Sequence, residues 1–123
     1  VADMEIKDNS IKTILKIIRV YNSERLKDMA SKLKISIPYL SSIENGKRNI
    51  PKWFLERMNK NYILEDETKE KLAREFIKEA YIKNTRELQK TLGISWDIEA
   101  SFQEAFEKSF KNDWRSLFKE VKE

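Results

Sequence analysis

The side chains able to do chemistry in this 123-residue chain are lysine, arginine, tyrosine, serine and the carboxylates, because it holds neither cysteine nor histidine. Imidazole catalysis, thiolate nucleophiles, disulfides and the usual zinc ligands are thereby excluded. Two glycines do not make a phosphate-cradling loop, and the carboxylates are dispersed as on solvated helix faces. No catalytic constellation, cofactor site or small-molecule site is legible, and an enzyme is not expected. Binding by charge remains. The net charge is +4 and it is uneven: residues 1 to 62 carry 13 Lys/Arg against 7 Asp/Glu, and residues 63 to 123 carry 12 against 14. The first half is the one suited to face a polyanion. Lys-rich solvated faces are common, so charge alone leaves nucleic acid and plain surface equally open.

The elements that must position these cations are all helical by pattern. Ile11, Ile14, Leu15 and Ile18 mark one face of a first helix after a cap at Asn9 or Ser10. Leu26, Met29, Ala30 and Leu33 repeat the spacing, with Asn22 or Ser23 able to cap the start. After a three-residue turn, Ser36 can cap a third helix with Pro38 in its first turn, Leu40 and Ile43 inward and Gly46 at its end. Pro51 opens a short fourth helix carrying Phe54, Leu55 and Met58. Acidic Glu65 to Glu67 head a fifth that buries Leu72, Ala73, Phe76, Ile77 and Ala80. Beyond Asn84 the pattern predicts a separate short element, Arg86 to Leu92, stopped by Gly93, then a longer helix capped by Ser95 that breaks near Asn112 and Asp113.

The expected fold is therefore all-α. A compact helix-turn-helix bundle of four to five helices fills residues 1–64, and a helical C-terminal region follows over 65–123. Val1 to Asp3 precede Met4, a candidate start, and are left out of the functional reading. No apolar run approaches the ~20 residues of a bilayer span and no signal-peptide core is visible, so a cytoplasmic, nucleoid-associated location without a membrane partner is expected.

A helix of eight residues, a short turn and a second short helix, with small Ala30 at the crossing and Ile35, Leu40 and Ile43 at fixed offsets, has helix-turn-helix spacing. Many helical bundles would satisfy that spacing alone. The run Leu26 to Pro51 adds specificity, above all Tyr39-Leu40-Ser41-Ser42-Ile43-Glu44-Asn45-Gly46-Lys47-Arg48. It closely resembles the Cro and phage-repressor (XRE) family of helix-turn-helix regulators, over roughly Ile11 to Leu64.

That resemblance implies binding to double-stranded DNA. Ser36, Ile37, Pro38, Ser41 and Ser42 match the positions that read bases. None of them can make a bidentate contact to guanine or adenine, a departure that implies modest specificity, through thymine methyls and hydroxyl bonds. Asn45, Lys47, Arg48 and Asn49 match the segment that family members lay along the sugar-phosphate backbone, with the backbone of residues 45–49 included; Arg25, at the start of the second helix, can reach a phosphate across the groove, and Tyr39 is expected to pack with its hydroxyl toward a phosphate. Leu26 stands where a phosphate-binding glutamine is customary. Glu44 is expected to pair with Arg19 and lock the third helix to the first.

In the second half, Phe102, Phe106, Phe110, Trp114 and Phe118 recur every four residues, joined by Trp96, Leu117 and Val121. A period of four drifts by ~40° per step on a 3.6-residue helix, so the stripe must wind or the helix must break. Its apolar area predicts a homodimer through residues 84–123, with folding back onto Leu72, Phe76 and Ile77 as the competing account. Leu88 to Phe102 partly echo the first motif, but Gln89 replaces the small Ala30 and Glu99 the buried Leu40, so a second reading unit is not expected. Two functions stay in view: a dimeric transcriptional regulator of phage, mobile-element or antitoxin type, and a module of the same fold turned toward a protein partner.

Overall fold

A computed structural model describes residues 10–118. Among these, six α-helices are followed by two irregular helical turns, and no strand occurs. Asn9 and Val121, which entered the reading above, lie outside the described residues, as do Val1 to Met4.

Helix α1 spans Ile11–Tyr21, and the Ser10 hydroxyl accepts the Thr13 amide at 3.3 Å, satisfying one orphan donor of the first turn. Asn22 does not cap the next helix. It closes α1 instead, its side chain donating to the Ile18 carbonyl at 2.7 Å, and Ser23 takes a left-handed φ of 56°. Helix α2, Leu26–Leu33, starts at Arg25, whose amide donates to the Asp28 carboxylate at 2.8 Å. Lys34 ends α2 in the left-handed region at φ 57°, a conformation that favours glycine. Helix α3, Ile37–Glu44, begins where the Ser36 hydroxyl accepts the Tyr39 amide at 3.2 Å; Pro38 sits in the first turn, where its missing N–H costs nothing. Helix α4 runs Lys52–Asn61 behind Pro51.

Helix α5, Asp66–Leu92, is one continuous rod of 27 residues. The break expected beyond Asn84 is absent. Neither proline nor glycine interrupts residues 66–92, and Asn and Thr cost only a few tenths of a kcal/mol in a helix interior. Thr85 is buried, so packing outweighs propensity there. Gly93, at φ 66°, ends the rod. Helix α6, Ile98–Ala105, is capped by Asp97 and not by Ser95, the Asp97 carboxylate accepting the Ala100 amide at 3.1 Å.

After Ala105 the chain widens into a π-helical turn, Phe106–Phe110, with the Lys111 amide donating to the Phe106 carbonyl at 3.0 Å. A 3₁₀ turn, Trp114–Phe118, follows. The four-residue aromatic period is absorbed by this change of winding, since a wider turn keeps residues four apart on one side.

Phe102, Phe106, Trp114 and Phe118 are all buried within the single chain, with Phe110 half-buried beside them. The expectation that this stripe faces a second subunit is therefore corrected. It packs across α4 and α5, and Phe102 meets Tyr81 in a tilted contact at 5.5 Å between ring centres and 55° between planes. The same hydrophobic cluster contains Leu15, Leu33, Leu40, Phe54, Leu72 and Phe102, and so passes through both sides of residue 64.

Candidate nucleic-acid interface

The exposed surface of α3 is built by its cap and first turn. Leu40 and Ile43 point into the core, which leaves Ser36, Ile37 and Pro38 exposed and Ser41 and Ser42 half-buried at the next turn. Ile37 is 46% exposed, a large apolar side chain held open to solvent on a helix whose other aliphatics are buried. The serines are partly committed: the Ser42 hydroxyl donates to the Tyr39 carbonyl at 2.6 Å, and the Ser41 hydroxyl accepts from the Asn45 side chain at 3.2 Å. Chemically this face offers one capping hydroxyl, two apolar side chains and two hydroxyl oxygens with spare acceptor capacity.

The loop after α3 is more closed than its sequence suggests. The Asn45 amide bonds the Ser41 carbonyl, the Gly46 amide the Ile43 carbonyl, and the Lys47 and Arg48 amides share the Ser42 carbonyl. Residues 45–48 therefore have no spare backbone N–H for a phosphate, and the reading that gave them that role through the backbone is corrected: the terminal carbonyls of α3 take those donors first. The Asn45 side chain is likewise engaged, donating to the Ser41 carbonyl at 2.8 Å and accepting from Lys12 at 3.3 Å. Gly46 supplies the bend at φ 72°.

What the loop presents outward is side chains. Lys47, Arg48 and Asn49 are exposed, and Arg48 lies over the Tyr39 ring at 5.0 Å. Tyr39 stacks on Trp53 at 5.9 Å and 24°, and Arg57 covers Trp53 at 4.3 Å while donating to the Leu33 carbonyl at 2.8 Å. This alternating stack ties α3 to α4 and fixes the direction of the Arg48 head group while leaving its charge at the surface. Arg25, with its side chain 75% exposed, stands at the start of α2; Asp28 lies 3.8 Å away and offsets part of its charge.

Behind this face, Arg19 of α1 and Glu44 of α3 form a buried ion pair, with side chains only 11% and 6% exposed. Arg19 also approaches the Met29 sulfur at 3.6 Å, so one guanidinium touches α1's neighbours α2 and α3 together. A second anchor is Glu24, which accepts from the Tyr62 hydroxyl at 2.6 Å and pairs with Lys32 at 2.6 Å. Burial and the Glu24 carboxylate hold that tyrosine protonated well above its ordinary range.

Three features escaped the sequence reading. Lys12 reaches the loop from α1, and Glu79 of α5 accepts the Ile50 amide at 2.8 Å, pinning the far end of the loop. Against that junction lies an open groove of about 820 Å³ lined by Asn49, Glu79, Lys83, Arg86, Glu87 and Lys90, among others. The half-chain charge count concealed these cations. Among the described residues no group of three or more carboxylates is placed to hold a metal ion, and no helix is long and apolar enough to cross a membrane. No protein-family model, curated protein or solved structure matches the chain.

Proposed function

We propose that this chain is a transcriptional regulator that binds double-stranded DNA by its helix-turn-helix, a repressor of the phage, mobile-element or antitoxin kind, acting as a homodimer. The carrying observation is the α2–turn–α3 unit itself. Its second helix is locked from behind by the buried Arg19–Glu44 pair and presents its capped N-terminal turn to solvent; exposed Arg25 stands at the start of α2, and exposed Lys47 and Arg48 follow α3, with Arg48 over the Tyr39 ring. A rigid, exposed helix start with exposed cations on the segments before and after the unit suits a major groove bounded by phosphates. Ser36, Ile37, Pro38, Ser41 and Ser42 would meet base edges and thymine methyls there. Arg25, Lys47, Arg48, Asn49 and the Tyr39 hydroxyl would set the register.

Titration of labelled duplex at several salt concentrations tests this. Three cations per chain give a slope of log affinity against log salt of about −2.7 per chain from this unit alone, and Arg48→Ala should flatten it by about 0.9. Arg48→Ala should weaken all sequences alike, whereas Ile37→Ala or Ser42→Ala should reorder them. A salt-independent or absent interaction with duplex would overturn the proposal. It would favour the second reading, a module docking on a protein partner, for which the observation is exposed Ile37 beside Pro38 on a face with few strong base-reading groups.

A further inference from the structure

The last third of α5 carries a row of three cations, with Glu79 and Glu87 close by on the same helix. Lys83, Arg86 and Lys90 are exposed, and among the described residues none forms an ion pair. Lys71, Lys78, Lys108 and Lys111 all pair with a glutamate on a neighbouring turn or helix. At about 100° per residue, positions 83, 86 and 90 fall within an arc of roughly 60°, while Leu88 and Leu92 lie on the opposite side of the rod. The row is thus one stripe and not a scatter.

Its position is fixed by the hydrogen bond from the Ile50 amide to Glu79, which sets α5 directly against the end of the loop that displays Lys47, Arg48 and Asn49. Asn49 and the three cations line the same open groove. Two carboxylates share it. Glu79 is occupied by the loop amide, and burial raises its carboxyl above the usual range against the opposing effect of that bond. Glu87 is exposed, on the margin of the stripe. From Glu79 to Lys90 the rod advances about 16 Å at 1.5 Å per residue, which is close to five steps of a nucleic-acid strand at about 3.4 Å each.

We propose that Lys83, Arg86 and Lys90 form a second phosphate-binding element, which continues the backbone track begun by Lys47 and Arg48 and lengthens each chain's footprint on duplex DNA. The inference rests on the DNA-binding reading above. It assigns to α5 an affinity role that involves no base contact, and it offsets the weak base-reading set of α3 by adding sequence-independent attraction.

The test uses the full chain and a mixed-sequence duplex of about 30 base pairs, titrated across a salt series. The expected slope is near −5 per chain, and the triple substitution Lys83→Ala, Arg86→Ala, Lys90→Ala should reduce its magnitude by about 2.7. The charge-keeping triple Lys83→Arg, Arg86→Lys, Lys90→Arg should restore the slope, which a merely structural role for these side chains would not predict. All three are exposed, and circular dichroism of each variant confirms the fold. An alanine triple that binds with the wild-type slope, while Arg48→Ala still flattens it, would overturn the α5 element and leave the helix-turn-helix reading standing. No salt-dependent binding by the wild-type chain would overturn both.

Discussion

Glu44 shows how much one side chain can determine. Removing it leaves the Arg19 guanidinium charged in a place where its side chain is 11% exposed, so Glu44→Ala should lower stability by about 3 kcal/mol and the melting temperature by roughly 10 °C. Glu56→Ala, which breaks the exposed Lys52–Glu56 pair at 3.2 Å on α4, should cost under ~1 kcal/mol. Parallel thermal melts of the two variants check the contrast, and equal losses would mean the inner pair is not dry. Glu75 makes the opposite point. Burial raises its carboxyl, with Lys78 and Arg74 opposing, so the folded state holds this proton more tightly than the unfolded one. The stabilisation it contributes is complete below the ordinary carboxylate range and is lost as pH rises through the raised folded value. Glu75→Gln should therefore stabilise the protein at neutral pH, with the advantage vanishing near pH ~4; urea midpoints at both pH values measure it.

At the scale of elements, Trp114 is the residue to question. It is buried and meets Phe118 edge-on at 6.1 Å and 88°, with Arg115 over its face at 4.6 Å. Trp114→Ala should cost about 3–5 kcal/mol in a urea titration, because the 3₁₀ turn is part of the core and not a detachable dimer arm. Helices α1 to α4 were readable in advance from the i, i+3, i+4 spacing of residues such as Ile11, Ile14 and Leu15, whose burial needs no long-range knowledge, and Ser10, Ser36 and Pro51 marked the starts of α1, α3 and α4, whereas neither Asn22 nor Ser23 marked the start of α2. The extent of α5 was not. Asn84 looks like a boundary because Asn favours turns, yet its penalty is small, and the burial of Thr85 that outweighs it depends on elements distant in sequence. The closed loop after α3 was hidden for a similar reason: which carbonyls Lys47 and Arg48 bond is decided by how α3 ends. The α5 stripe was hidden by averaging, since Lys83, Arg86 and Lys90 sit in a half-chain that is net acidic.

For the whole molecule, the open question of geometry is how two chains would span a palindrome. With the aromatic stripe internal, the large apolar side chains still exposed among the described residues from 84 onward are Leu88, Leu92 and Ile94, at and just beyond the end of α5. If the proposed homodimer forms through that stretch, Leu88→Glu with Leu92→Glu should shift sedimentation at micromolar concentration to the monomer while leaving the helical content unchanged. Half-sites about 34 Å apart should then be required for tight binding, and an insertion of about five base pairs between them should abolish it. A wild-type chain that sediments as a monomer and still binds a palindrome tightly would end the dimer proposal.

The docking of Trp114–Phe118 onto α4 and α5 also has a meaning for biosynthesis. The Asn59 side chain reaches the Phe118 carbonyl at 3.4 Å, and Arg115 pairs with Asp66 at 3.2 Å. Both contacts join positions roughly fifty to sixty apart in sequence. A nascent chain whose residue 118 is still inside the ribosome therefore has α1 to α4 made but its aromatic cover missing, with α4 and α5 exposing the faces that Trp114 and Phe118 will fill. Newly made protein would pass through a stage in which that apolar surface is open to chaperones and proteases. Loss of the segment by premature termination would leave that apolar surface permanently uncovered and mark the product for degradation.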